Sequence, residues 1–239
     1  MDIGKSFSFP FEDEKWLSKL LIGAIVAAIP IVNFAFTGYA VDTLKSVMAG
    51  MARPLPDWVD WGEKFMKGLI LALAGLVYSI PVICVSILAL TPLLAISGGQ
   101  NTQEMQEGLA WLTSGLGLAV LCFVVLYGLA LSFFLPAMAI NFARKGTFGS
   151  CFEIGGIVRI FSANMGKYLT AWLVTLLAGI LVSMVVSVVF VVLNFIPCLG
   201  QILALFVSGV AAVYPTLVGV HLFGQVAGGE AMTSMEPAA

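Results

Sequence analysis

The sequence predicts an all-α protein, a polytopic bundle of transmembrane helices, on three observations. First, 60% of the 239 residues are hydrophobic and only 10% are charged, against about 25% charged in an ordinary soluble domain. Second, the apolar runs 68–96, 109–142, 168–196 and 202–226 each exceed the roughly 20 residues that cross a bilayer as helix. Third, the basic residues are confined to the N-terminus and two polar connections. The expected organisation is one membrane domain, 1–227: an N-terminal hairpin (1–50), an interfacial linker (51–67), a second hairpin (68–143), a second interfacial linker (144–167) and a third hairpin (168–227). A flexible tail, 228–239, follows. The fold class is thus four long spans plus an N-terminal short hairpin or kinked span, with two interfacial amphipathic helices.

The first residues do not read as a signal peptide. Glu12, Asp13 and Glu14 stand where a basic region would be needed, and no small-residue cleavage site follows. The first apolar segment runs from Trp16 to Ala40 with Pro30 in its middle. Proline disfavours helix at the residue before it, so Ile29-Pro30-Ile31-Val32-Asn33 reads either as a turn between two short helices or as a kink in one span. Length favours the kinked span, since Trp16 to Ile29 is only about 21 Å of helix against a core of about 30 Å. Charge favours the hairpin, because it keeps Lys5, Lys15 and Lys19 on the side of the other basic residues.

In the stretch after Arg53, helical spacing puts Trp58, Trp61 and Phe65 on one face and Asp57, Asp60, Glu63, Lys64 and Lys67 on the rest. This predicts an amphipathic helix lying in the interface with its tryptophans at the headgroups. After Arg144-Lys145-Gly146 the pattern returns at Cys151, Ile154, Val158 and Phe161, predicting a second interfacial helix. The long runs carry their own breaks at Pro81, Pro136 and Pro215, each of which removes a backbone hydrogen bond. Ile196-Pro197-Cys198-Leu199-Gly200 echoes the segment at Pro30 and predicts a turn between the last two spans. Along the fourth run Ala171, Thr175, Gly179, Ser183 and Ser187 recur every four residues. Such a small-residue stripe lets another backbone approach, from this chain or a partner.

The segments Phe11-Glu12-Asp13, Trp16, Lys19-Leu20-Leu21-Ile22-Gly23, Ile29-Pro30-Ile31-Val32-Asn33, Gly38-Tyr39, Leu55-Pro56-Asp57-Trp58 and Asp60-Trp61-Gly62 resemble an uncharacterised prokaryotic membrane family, the domain of unknown function numbered four thousand and thirteen. These motifs cover the first third of the chain. The resemblance implies a polytopic protein of the bacterial or archaeal cell membrane. It brings no activity, ligand or catalytic residue.

The residues offer little chemistry. There is no HExxH helix, GxSxG elbow or P-loop. The four cysteines form no CxxC pair, so neither a metal site nor a disulfide is suggested. No cofactor is expected. No basic run suggests nucleic acid. The single histidine, His221, reads as an interfacial or capping residue near the cytoplasmic end of the last segment. No charged residue falls in the middle of the four long runs, which argues against a proton-coupled pump. The sequence therefore points to a non-catalytic membrane protein, a scaffold or accessory subunit, whose partners are the lipid bilayer and other membrane subunits. The alternative is a permease for a small neutral or lipid-like molecule, motivated by the proline breaks. Both termini are expected in the cytoplasm, in a multi-pass protein of the cell membrane.

Overall fold

The computed structural model describes residues 1–98, 106, 110–111, 113–196 and 199–233. Among these the secondary structure is helical, with no strand. Eight α-helices follow one another: α1 (Ile3–Ser8), α2 (Trp16–Ala28), α3 (Asn33–Met48), α4 (Trp61–Gly98), α5 (Gly115–Lys145), α6 (Ile154–Ala163), α7 (Met165–Leu193) and α8 (Leu199–Thr233). Short 3-10 turns occupy Phe9–Glu12 and Phe148–Phe152. Four stretches are long and apolar enough to cross a membrane: Trp61–Ile87, Gly115–Lys145, Met165–Leu193 and Leu203–Gly228. The expected all-α architecture with four long spans is what the chain adopts.

The segment at Pro30 is a turn. Helix stops at Ala28 and restarts at Asn33, with Ile31 in the left-handed region at φ 72°. Asn33 N–H closes onto the Ile29 carbonyl at 3.0 Å and Ala35 N–H onto the Val32 carbonyl at 2.9 Å, so the turn meets much of its own hydrogen bonding. Helices α2 and α3 then pack on each other. The kinked single span is not what forms. At the far end of α3 the chain reverses at Gly50, φ 71°, where the Met51 N–H reaches back to the Ser46 carbonyl at 3.1 Å. This left-handed glycine closes the helix.

The chain divides into two units. One holds Leu73–Leu135, the later part of α4 and the earlier part of α5. Inside it the Tyr127 hydroxyl donates to the Tyr78 carbonyl at 2.8 Å, and the Tyr78 ring meets Phe134 edge-on at 5.0 Å.

The other unit holds the chain through Ala72 and from Pro136 onward, and its hub is α8. Helices α1, α2, α3 and α7 all pack against it. Small residues on three faces of α8 make this possible. Gly209 meets the backbone of Ala24 on α2; Gly219 sits under Thr175 of α7; Gly224 takes Val47 of α3. A Cβ on Gly219 would fall 2.8 Å from Thr175 Cγ2, and one on Gly224 would fall 2.6 Å from Val47 Cγ1. Helix α3 makes a second close crossing with the start of α4. There the backbone of Gly38 lies on the Lys64 carbonyl and that of Gly68 on the Phe34 carbonyl. The core of this unit contains Phe9, Val26, Phe36, Tyr39, Leu55, Val213 and Leu217.

Burial is concentrated at one end. On α7, Tyr168, Ala171 and Ala178 are buried, whereas Leu181, Met184, Val185, Val188, Val191 and Val192 are exposed. On α5 the last turns are buried at Ala137, Met138, Ile140 and Phe142. The buried ends lie next to the basic connections.

Three local expectations differ from the structure. The tryptophan helix starts late: residues 54–60 are irregular, Asp60 has φ 53°, and helix begins at Trp61. Pro54 and Pro56 hold the preceding residues out of helix. Trp58 thus lies off the helix that carries Trp61 and Phe65, and no separate linker helix exists there. In the second connection a helix forms as α6 and carries Ile154, Val158 and Phe161, but Cys151, expected on the same helix, lies buried in the 3-10 turn before it, with Glu153 between the two. The tail expected from Gly228 remains helical to Thr233; residues 234–239 lie outside the described residues. The turn at Pro197 also lies outside them.

Candidate functional site

The N-terminal segment is latched onto the C-terminal part of α8. Asp2 caps α1, accepting from Lys5 N–H at 2.9 Å. Asp2 N–H donates to Gln225 Oε1 at 2.6 Å, and Gln225 Nε2 returns a bond to the Asp2 carbonyl at 3.0 Å. Ser6 Oγ lies 2.8 Å and Gln225 Nε2 2.9 Å from His221 Nδ1. An amide nitrogen donates only, so Nδ1 is an acceptor and the ring proton sits on Nε2. Phe9 stacks on the imidazole at 4.4 Å, and the Tyr214 hydroxyl donates to the Phe7 carbonyl at 3.2 Å. A serine beside a histidine nitrogen is the start of a nucleophile–base pair. Here the Ser6 side chain is fully buried and Gln225 shares the same Nδ1, so the arrangement fastens the segment.

A second network surrounds Lys19, whose ammonium is buried between α2 and the segment before α4. It donates to Asp13 Oδ2 at 2.8 Å and to the Leu55 carbonyl at 2.8 Å, with Asp57 Oδ1 at 3.1 Å. Three acceptors around three ammonium protons satisfy the charge that burial would otherwise penalise. Burial raises the Asp13 carboxyl, but the hydrogen bonds from Lys19 and from Lys15 N–H, with the charges of Lys19 and Arg53, outweigh it. The group therefore sits below its ordinary value. Trp58 closes this site from above. Its Nε1 donates to the Lys19 carbonyl at 2.9 Å, and its ring stacks on Tyr39 at 4.4 Å and on Trp61 at 5.0 Å. The Tyr39 hydroxyl is buried with no protein partner, a cost of about 1–3 kcal/mol.

A third network joins α3 to the start of α4. Asp42 takes Lys67 at 2.5 Å and Lys64 at 3.5 Å; Lys64 also donates to the Val59 carbonyl at 2.7 Å, and Lys67 to Glu63 at 2.6 Å. In the second polar connection Asn141 Nδ2 donates to the Ser150 carbonyl at 2.7 Å and Lys145 pairs with Glu153. The hydrogen bond from Lys145 holds the Glu153 carboxyl below its ordinary value. Burial pushes the Cys151 thiol up to about 11, so it stays protonated and unreactive. Among the described residues no three His, Cys, Asp or Glu side chains gather as metal ligands.

The residues singled out in the sequence are placed as follows. Trp58 and Trp61 stack together, and Phe65 meets Phe34 edge-on at 5.8 Å. Phe161 of α6 packs 6.0 Å from Tyr168. Pro81, Pro136 and Pro215 lie inside α4, α5 and α8; Pro30 makes the turn. The stripe on α7 separates into two parts. Ala171 is fully buried and Thr175 meets Gly219, but Gly179 faces open space and Ser183 and Ser187 are exposed. A four-residue repeat advances about 40° beyond a full turn at each step. Four steps carry Ser187 about 160° from Ala171, so the five residues cannot share one interface. The packed track is Ala171 and Ala178, both buried, with the half-buried Thr175 between them. The latch and the charged clusters were not read from the sequence; their signal was only a lone histidine and lysines near segment ends.

The family of proteins of unknown function DUF4013 matches this chain over residues 21–191. No curated protein and no solved structure matches it. The match covers well over half of the chain, through the hairpin, the first three spans' worth of helix and both polar connections, and the chain belongs to the DUF4013 family.

Proposed function

We propose that this membrane-spanning protein is a non-catalytic scaffold or accessory subunit that seats a partner helix on α7. The observation that carries the reading is the second half of the α7 stripe. Gly179 opens onto space, Ser183 and Ser187 are exposed, and the Ser187 hydroxyl is satisfied within its own helix by the Ser183 carbonyl at 2.7 Å. A helix face of small residues offers close backbone approach. The ionisable groups support a structural role, because Lys19, Asp13, Asp42, Lys64 and Lys67 are engaged with one another.

The same reading places both termini in the cytoplasm, with the α2–α3 hairpin entering and leaving the bilayer on that side. Asp2 bonds Gln225, so the N-terminus lies beside the late turns of α8. Leu44 lies near Gly224 and Met48 near Gly228, so α3 and α8 run in the same direction and Asp42 falls before Gly224 in level. The candidate span of α8, Leu203–Gly228, has 26 residues, about 39 Å of helix, which exceeds a hydrocarbon core of about 30 Å and lets its last turns extend beyond it. Ala24 and Ala28 lie at Gly209, which puts the turn at Pro30 partway down that stretch. A re-entrant hairpin resolves the conflict between its short length and the positive-inside rule.

The test is native mass spectrometry of the protein extracted in mild detergent. The expected result is a stoichiometric partner, lost in a Gly179→Leu, Ser183→Leu protein that keeps its thermal stability. A monomer, or a partner retained by the variant, would contradict the reading. A loss of thermal stability would mean instead that the face packs within the chain. The permease alternative draws on Pro215, which lies within α8 next to a recess lined by Thr216.

A further inference from the structure

We propose that this recess, an open concavity between α2, α3 and α8, is a binding site for small neutral molecules that both donate and accept hydrogen bonds, of the primary-amide class. The inference rests on the re-entrant placement of the α2–α3 hairpin proposed above, and not on the partner helix at α7. The recess has a volume of 240 Å³ and is lined by Ala27, Asn33, Phe36, Thr37, Ala40, Ala212 and Thr216. Those residues fit a particular chemistry. None is ionisable, so a charged solute would leave its solvation shell with nothing to replace it. The two threonine hydroxyls spend their protons on their own helices: Thr216 donates to the Ala212 carbonyl at 2.7 Å and Thr37 to the Asn33 carbonyl at 3.4 Å. Their oxygens are left as acceptors. Asn33, exposed at the first turn of α3, adds an amide that can donate and accept. Phe36 and three alanines supply the apolar remainder.

The backbone points the same way. Pro215, next to Thr216, has no N–H for the Ala211 carbonyl four residues earlier. The irregular segment 29–32 ends at Asn33, on the rim of the recess. Backbone of this kind at membrane depth is tolerated where it is buried in protein or lines a water-filled cavity. Three polar side chains, one of them at the residue where helix resumes after the turn, therefore meet at one small concavity on an otherwise apolar stretch of α8.

Iodoacetamide, itself a neutral primary amide, probes the site in the full chain, in membranes, with the four native cysteines replaced. Ala212→Cys puts a thiol on the recess wall and removes no polar group. Leu181→Cys puts one on the exposed apolar face of α7. We expect iodoacetamide to alkylate Ala212→Cys at least tenfold faster than Leu181→Cys. Adding Asn33→Leu and Thr216→Val should bring the rate down to that of Leu181→Cys. A sulfonated methanethiosulfonate should show no such preference for the recess. Thr37→Cys gives a second position on the wall, should Ala212→Cys fail to fold. Alkylation no faster than at Leu181→Cys, a rate unchanged by the two apolar replacements, or equal preference for the sulfonated reagent would overturn the proposal.

Discussion

Gly38→Ala is expected to destabilise the protein by about 3 kcal/mol or more, at the upper end of overpacking effects. The reason is what the new methyl group would meet. At Gly38 it would run into the backbone carbonyl of Lys64, and at Gly68 into that of Phe34. A flexible side chain can swing away, but a helix backbone can only be pushed off as a unit. Separating α3 from the start of α4 would also stretch the bonds from Asp42 to Lys64 and Lys67. Gly68→Ala should behave alike. Gly179→Ala is the control: its methyl group faces open space, and alanine favours helix over glycine by about 1 kcal/mol. Thermal unfolding in detergent measures all three. Equal stability of the Gly38→Ala and Gly179→Ala proteins would show that the α3–α4 crossing is not tight.

Replacing Lys19 by Met is expected to cost about 3–5 kcal/mol, the range for breaking a buried ion pair by removing one partner. The variant leaves Asp13, whose side chain is 11% exposed, without its counter-charge and the Leu55 carbonyl without its donor. Arg53→Met removes an ion pair with Glu14 that is largely exposed, and should cost about 0–1 kcal/mol. A pH series separates the Asp13 contribution. Its carboxyl is depressed in the folded state and returns to an ordinary value near 3.8 in the unfolded chain. The stabilisation is therefore fully present above that value and is lost as pH falls through the lower folded value. Asp13→Asn should flatten this acid limb of the stability curve. An unchanged limb would remove Asp13 from the network.

Which parts of this architecture could be read from the sequence follows from how local each signal is. A span is a run of some 20 apolar residues, so composition alone located all four. The turn at Pro30 needed two signals, the proline and the charge asymmetry. Helix α6 was readable because Ile154, Val158 and Phe161 keep helical spacing with no proline among them, although Cys151, read as part of the same pattern, falls in the 3-10 turn before it. The stretch at Trp58 has the same spacing, but Pro54, Pro56 and a left-handed Asp60 keep it out of helix, so periodicity misled there. The stripe on α7 misled for a geometric reason, since a repeat of four drifts around a helix of 3.6 residues per turn. The glycines that do carry close contacts, Gly209, Gly219 and Gly224, show no fixed interval because three different helices dock on three faces of α8. The latch lay furthest from view: Ser6 and His221 are 215 residues apart, and neither has a neighbour in sequence that announces the other.

The central claim is that the polar, tightly packed end of the bundle, with both termini, faces the cytoplasm and that the α2–α3 hairpin re-enters on that side. Fusing a reporter active only in the cytoplasm to each terminus in turn tests it most directly. The account expects full signal from both fusions. Signal from the C-terminal fusion alone would contradict it, because the first apolar segment would then cross the membrane once, leaving five spans and Lys5, Lys15 and Lys19 outside.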